Sequence, residues 1–132
     1  ETEAVLPRIE SYFLQLLYGI GKGTLNEYSL KISPKFATTV VMVSGGYPEK
    51  YEKGFPISLP QSFPGAILFH AGTAKNPKGQ LTNQGGRVLA VTGMGDRLED
   101  ALDNAFASVN KIHWNKAYFR KDIGQDILKL YN

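Results

Sequence analysis

The chain has 132 residues, enough for one domain, and 42% of them are hydrophobic, which supports a core of ordinary size. The formal net charge of +3 comes from scattered lysines and arginines, so nucleic-acid binding gains little support and a small anionic ligand fits equally well. The chain has no cysteine and only two histidines, which excludes disulfides and thiolate chemistry and argues against a histidine-rich metal site.

The sequence shows no apolar run long enough to span a membrane and no signal-peptide pattern at its start. We therefore expect a cytoplasmic protein with no membrane partner. The first residue is Glu1 rather than Met, and a helical pattern begins at once, which suggests a fragment of a longer protein.

The N-terminal stretch predicts a helix from Glu1 to about Ile20, with acidic residues at its start and apolar residues at helical spacing. Pro7 must lie near the first turn or kink this helix. The glycines at 19, 21 and 23 end it. The Gly-Lys-Gly string at 21–23 lacks the full spacing of a phosphate-binding P-loop.

The middle of the chain predicts four strands, near residues 37–44, 66–70, 80–84 and 86–92, with 74–79 as a solvated hairpin loop. Short connections among the later strands favour antiparallel pairing. Helices are segregated towards the ends of the chain. The predicted fold class is therefore α+β, a small, mostly antiparallel sheet packed with helices.

The strongest local pattern is the strand at 86–92 together with the segment that follows it. Apolar residues on both of its faces indicate a strand that is covered on both sides. The glycines at 93 and 95 predict a turn and allow close approach of another group. Asp96 and Glu99 then form a capping-box pattern for an amphipathic helix. Beyond this helix, Trp114 and Tyr118-Phe119 predict an aromatic cluster that closes the core, and residues 125–130 a short last helix.

Three glycine-containing motifs are candidates for a binding site. Gly85-Gly86-Arg87 offers backbone N–H groups and a guanidinium suited to phosphate or carboxylate, but a β-bulge or turn followed by a surface arginine explains the string as well. Gly46-Tyr47-Pro48 ends a strand and forms either a packing turn or a loop that faces a ligand. His70, followed by Gly72 and Thr73, could exchange protons near neutral pH, but no carboxylate nearby in sequence orients it, which favours a structural histidine.

Four strings together resemble the phosphoribosylamine–glycine ligases (glycinamide ribonucleotide synthetases). They are residues 1–11, 40–48, 69–73 and 85–93, and the resemblance runs from Glu1 to at least Gly124. It implies an ATP-grasp ligase of purine biosynthesis that couples phosphoribosylamine and glycine while ATP is hydrolysed to ADP and phosphate. Residues 1–22 would be the tail of the ATP-grasp domain, and 23–132 the C-terminal domain.

The resemblance also implies which parts of the chemistry this chain carries. The family's Mg²⁺-binding (or Mn²⁺-binding) and ATP-binding residues would precede Glu1, so we expect no catalytic residue and no metal ligand here. We also expect this fragment alone to bind neither ATP nor metal and to be inactive.

By the same resemblance, Arg87 with the amides of Gly85 and Gly86 would contact the phosphate of phosphoribosylamine. The motifs at 46–48 and 70–73 would line the same side. The alternative is a free-standing, non-catalytic module that binds a ligand or partner. Exposed apolar surface on the first helix would favour the fragment, and burial of that surface would favour the module.

Overall fold

The computed structural model describes residues 1–131 as an α+β arrangement of helices and antiparallel strands. The strands are β1 (Phe36–Ser44), β2 (Ala66–His70), β3 (Thr73–Lys75), β4 (Leu81–Asn83), β5 (Arg87–Gly95) and β6 (Ala117–Tyr118). The helices are α1 (Thr2–Val5), α2 (Phe13–Lys22), α3 (Leu98–Val109) and α4 (Gln125–Tyr131), with 3-10 turns at Leu6–Arg8 and Leu25–Glu27. No helix within these residues is both long and apolar enough to cross a membrane.

The main sheet has the strand order β2-β5-β1-β6, and every neighbouring pair is antiparallel. This confirms the predicted fold class. The strand predicted at 80–84 belongs instead to a separate ribbon, in which β4 pairs with β3. The first two residues of the hairpin loop predicted at 74–79 belong to a strand, because β3 extends to Lys75.

Strand β5 lies second in the sheet and is buried on both faces from Val88 to Gly93. On one face, Leu89 and Val91 pack with Val40 and Met42 of β1 against α3, where Ala105 and Val109 are fully buried. On the other face, the Thr92 hydroxyl donates a hydrogen bond of 2.8 Å to the Glu3 carbonyl oxygen of α1. The prediction of a strand covered on both sides is confirmed.

The turn predicted at Gly93–Gly95 is wrong, since both glycines continue β5 in register with β1. Because the two glycines have no side chain, helix α3 can pack close to the strand. A Cβ added at Gly93 would lie 2.1 Å from the Ala101 carbonyl oxygen of α3. The backbone of α3 is therefore in direct contact with β5. This agrees with the expectation that these glycines allow another group to approach closely.

The predicted capping box at Asp96 and Glu99 does not form. The N-cap of α3 is Arg97, which has extended backbone angles, and no side chain caps the helix there. Strand β5 stays paired with β1 up to Gly95. The next two residues, Asp96 and Arg97, lead the chain out of the sheet, so the helix cannot start at Asp96. Glu99 nevertheless interacts with the helix N-terminus: its pKa is lowered, first by a hydrogen bond from its own backbone amide and then by Arg97, 3.2 Å away.

The single helix predicted for residues 1–20 is also wrong. The chain leaves helical geometry at Ile9, which forms an isolated antiparallel bridge with Ile32, and α2 begins only at Phe13. Arg8 secures the break, because its guanidinium donates to the Ser33 carbonyl oxygen at 3.0 Å while its own carbonyl accepts from the Ser33 amide at 2.7 Å.

The predicted aromatic cluster forms in part. Trp114 is buried in the core, and within residues 1–131 its indole Nε1 has no hydrogen-bond partner. Phe119 packs against Phe106 of α3 with ring centroids 6.4 Å apart. Tyr118 is 58% exposed and does not belong to the core.

Helix α2 leaves much of its apolar surface in contact with solvent. Leu16 is buried, but Leu14 is 69% exposed and Tyr18 and Ile20 are each 60% exposed. A contiguous apolar surface of this kind is typical of an interaction face.

Candidate functional site

The loops that carry the three glycine motifs meet at the start of β5. The amide of Gly85 donates to the carbonyl oxygen of Gly72 at 3.0 Å, and the amide of Gly72 donates to the carbonyl oxygen of Arg87 at 2.9 Å. A Cβ added at Gly72 would lie 2.6 Å from the Cα of Gly85. Glycine is therefore required here because two backbones touch.

The loop after β1 closes the same region. Gly46 has a φ of +99°, and a Cβ there would lie 2.2 Å from the Lys50 carbonyl oxygen. The ring of Tyr47 covers Gly86, since a Cβ added at Gly86 would meet Tyr47 Cδ2 at 2.0 Å. The motifs at 46–47 and 85–87 thus form one surface. Pro48, joined to Tyr47 by a cis peptide bond, is not part of it.

Two neighbouring cavities open on the sheet face opposite α3. The first cavity, of about 490 Å³, is lined by Glu1, Glu3, Val41, Tyr47, Ala71, Gly86, Arg87, Leu89 and Ala90. The second cavity, of about 330 Å³, is more apolar and is lined by Thr39, Val41, Val43, Tyr47, Arg87, Tyr118, Phe119, Arg120 and Ile123. Tyr47 and Arg87 belong to both walls and therefore mark the boundary between the cavities.

Arg87 is the exposed cation of this boundary. Within residues 1–131 its guanidinium has no hydrogen bond or ion pair to another side chain. Arg120, by contrast, makes two hydrogen bonds to the Asp122 carboxylate, at 3.0 and 2.7 Å. Arg87 is accordingly the arginine whose donors are available to an incoming anion.

The first cavity also contains carboxylates. The pKa of Glu3 lies below its ordinary value, chiefly because its own backbone amide donates a hydrogen bond to it. Arg87 adds weakly to this lowering. Glu3 is therefore ionised at neutral pH, and the cavity presents both signs of charge.

The backbone amides of the glycine motifs are not equally available. Those of Gly72 and Gly85 already donate to backbone carbonyls, so the predicted use of the Gly85 amide for a phosphate is not supported. In the described part of the chain, the amides of Gly46 and Gly86 have no acceptor. Gly86, which lines the first cavity, is thus the glycine whose donor is open.

His70 and Thr73 do not line either cavity. His70 lies two positions after Leu68 on β2, which packs against the core on the α3 side, and residues two apart in a strand project to the same face. The His70 Nδ1 lies 3.0 Å from the Thr73 hydroxyl oxygen, which provides a local partner. The expectation that these residues share a side with Arg87 is therefore not met.

The described residues do not form a metal site. Among them, no group of three or more His, Cys, Asp or Glu side chains is arranged to hold a metal ion.

Sequence reasoning overlooked two buried polar residues beneath the glycine motifs, Ser44 and Asn83. Ser44 ends a predicted strand directly before a glycine pair, and Asn83 lies one residue from the end of another, two positions before Gly85. That position was the available signal, because such side chains commonly bond to nearby backbone.

The architecture places the chain in the α+β class, with one helix packed on an antiparallel sheet and a glycine-lined cavity on the opposite face. Residues 37–126 match the family described as phosphoribosylglycinamide synthetase, C domain, and the chain belongs to this family.

Individual relatives agree with this assignment. The chain is 40% identical over 133 residues to the chloroplastic phosphoribosylamine–glycine ligase of Arabidopsis thaliana, a match that covers 98% of the chain and 25% of that relative. It is 42% identical over 125 residues to the phosphoribosylamine–glycine ligase of Rhizobium meliloti, covering 94% of the chain and 29% of the relative. The chain thus spans about a quarter of the length of these curated relatives.

A solved structure supports the same fold. The crystal structure of phosphoribosylamine–glycine ligase from Thermotoga maritima superposes with a TM-score of 0.81 at 31% identity, covering 92% of this chain and 30% of that one. The similarity therefore extends over nearly all of the chain.

Proposed function

We propose that this chain is the C domain of a phosphoribosylamine–glycine ligase, which joins phosphoribosylamine and glycine with consumption of ATP in purine biosynthesis. The family match over residues 37–126 and the 40–42% identity to ligases bearing that name support this proposal. The domain works as part of the full-length enzyme and is inactive alone.

Within that enzyme, Arg87 binds the phosphate of phosphoribosylamine. The observation that carries this role is a guanidinium without a side-chain partner among residues 1–131, at the boundary of two cavities. A guanidinium presents a planar fork of donors that matches phosphate oxygens, and the open Gly86 amide adds a further donor. Binding a phosphate needs donors and positive charge and no titrating base, which agrees with a site that His70 does not enter.

The carboxylates of the first cavity suit the other end of the same substrate. Phosphoribosylamine carries an amine as well as a phosphate, and Glu3 lines the cavity together with Arg87. Glu3 is a carboxylate at neutral pH, so it favours a ligand whose amine faces it while the phosphate faces Arg87. The cavity thus suits a ligand that carries both an amine, which can donate to a carboxylate, and a phosphate.

ATP and Mg²⁺ (or Mn²⁺) act, on this proposal, in the parts of the enzyme that precede this chain. Residues 1–22 then form the tail of the ATP-grasp domain, a boundary that coincides with the end of α2 at Lys22. The exposed Leu14, Tyr18 and Ile20 support docking of α2 on that domain. The same exposure argues against the free-standing module.

The test is steady-state kinetics of the full-length enzyme with Arg87→Ala. Loss of a charge-assisted hydrogen bond is expected to raise the KM for phosphoribosylamine about 10- to 100-fold, with a smaller change in kcat. Arg97→Ala is the matched control, since Arg97 is also an exposed arginine but pairs with Glu99 and lines neither cavity. A KM for Arg87→Ala equal to that of the control would refute the assignment.

A further inference from the structure

A buried polar cluster lies directly beneath the Gly85–Gly86 pair. It consists of Ser44, at the end of β1, and Asn83, at the end of β4, which are 1% and 0% exposed. Buried polar side chains are costly unless all of their hydrogen bonds are formed. Their contacts therefore indicate what they hold in place.

Ser44 holds both carbonyl groups of the glycine pair. Its hydroxyl donates to the Gly85 carbonyl oxygen at 2.9 Å, and its backbone amide donates to the Gly86 carbonyl oxygen at 2.8 Å. Two consecutive peptide units are thus fixed by a single residue of the neighbouring strand.

Asn83 in turn orients Ser44. Its Nδ2 donates to the Ser44 hydroxyl oxygen at 2.8 Å and to the Glu52 carbonyl oxygen at 2.8 Å, while its Oδ1 accepts from the Phe55 amide at 2.7 Å. Because the Ser44 oxygen accepts from Asn83, its single proton is left for Gly85. Every polar atom of the amide has a partner, so the cluster is fully satisfied and rigid.

The geometry of the peptide bond links this cluster to the first cavity. The Gly85 carbonyl and the Gly86 N–H belong to the same planar trans peptide unit and point in opposite directions. The Ser44 hydroxyl binds the Gly85 carbonyl from the buried side. The Gly86 N–H therefore points away from the protein interior. This agrees with the absence of an acceptor for that amide within residues 1–131 and with the position of Gly86 in the cavity wall.

We propose that Ser44 and Asn83 are positioning residues, which orient the Gly85–Gly86 peptide so that the Gly86 amide and Arg87 face one ligand phosphate. This inference rests on the proposed function of Arg87. The cluster does not touch the ligand. It acts through the direction of one peptide plane, and loss of the Ser44 hydroxyl removes the hydrogen bond that fixes the Gly85 carbonyl of that plane.

The test compares two single-hydroxyl deletions in the full-length enzyme. Ser44→Ala removes the bond to Gly85. Thr82→Val is the matched control, because Thr82 is also 1% exposed but its hydroxyl donates to the Ala74 carbonyl oxygen, within the β3–β4 ribbon. Ser44→Ala is expected to raise the KM for phosphoribosylamine about two- to tenfold with kcat nearly unchanged. Thr82→Val is expected to lower the melting temperature comparably without changing KM.

The outcomes separate the two proposals. If Arg87→Ala raises KM while Ser44→Ala and Thr82→Val give the same KM as the unaltered enzyme, the positioning role is refuted and the phosphate site stands. An equal rise in KM for Ser44→Ala and Thr82→Val would also refute it, since general destabilisation would then explain both. If Arg87→Ala itself leaves KM unchanged, the proposed phosphate site fails and the positioning role fails with it.

Discussion

Replacing Gly93 by alanine tests the packing that supports the whole sheet. Gly93 lies in the buried middle of β5, where α3 crosses it. The added Cβ would lie 2.1 Å from the Ala101 carbonyl oxygen and 2.4 Å from the Ala105 amide nitrogen. Both are backbone atoms of a helix, so no side-chain rotation relieves the overlap.

The size of the effect follows from these distances. Ordinary contact to a Cβ begins near 3.4 Å, so α3 must move by roughly 1 Å or the strand must deform. We expect a loss of about 3 kcal/mol in the free energy of unfolding, the upper part of the usual range for overpacking. For a domain of this size, that corresponds to a melting temperature lower by about 10 °C.

Urea unfolding followed by circular dichroism measures this change. Gly21→Ala is the control, since Gly21 lies inside α2 with no atom within 4 Å of an added Cβ. Alanine there is expected to stabilise the chain by about 0.5–1 kcal/mol through helix propensity. If Gly93→Ala unfolds at the same urea concentration as the unaltered chain, the close contact between β5 and α3 is refuted.

Two further substitutions probe the site and the C-terminal turn. Gly86→Ala forces the Tyr47 ring to move, so the full-length enzyme should show a raised KM for phosphoribosylamine while the free energy of unfolding changes by less than about 1 kcal/mol. In a Tyr47→Ala background the same change should have little effect, and a persistent rise in KM would contradict this. Hydrogen bonds from Arg120 hold the pKa of Asp122 below its ordinary value. The pair therefore stabilises the fold above about pH 4 and loses that contribution as the pH falls through the folded-state pKa. Melting curves between pH 7 and pH 2 should show a shallower pH dependence for Asp122→Asn, and parallel profiles would contradict it.

The parts of the fold that sequence reasoning predicted correctly are those dictated by continuous apolar patterning. Strands β1 and β5 and the stripe of α3 have enough buried residues to be recognised locally. The break in the first helix could not be found this way, because it depends on Ile9 pairing with Ile32 and on Arg8 binding the Ser33 carbonyl. A contact between residues 25 positions apart leaves no periodic trace in either segment.

Only some of the residues predicted to form a site lie together in the structure. Arg87, Gly86 and Tyr47 do form one surface, because Gly86 lacks the side chain that would displace the Tyr47 ring. His70 was expected on the same surface, but its register with Leu89 directs it to the other face. The face of the sheet to which a side chain projects depends on the register between strands. The glycine-rich segments around 72 and 85–86 give no indication of that register in the sequence.

The pairing of β1 with β5 also governs the order in which the chain can fold during synthesis. The hydroxyls of Thr39 and Thr92 lie 2.7 Å apart across this pair, although 53 positions separate the residues in sequence. At typical translation rates, β1 emerges about 3 to 10 s before its partner strand. During that interval the apolar side chains of Val40 and Met42, fully buried in the finished domain, lack their β5 neighbours. Until β5 is complete, the nascent chain therefore exposes apolar side chains of β1 that can drive aggregation.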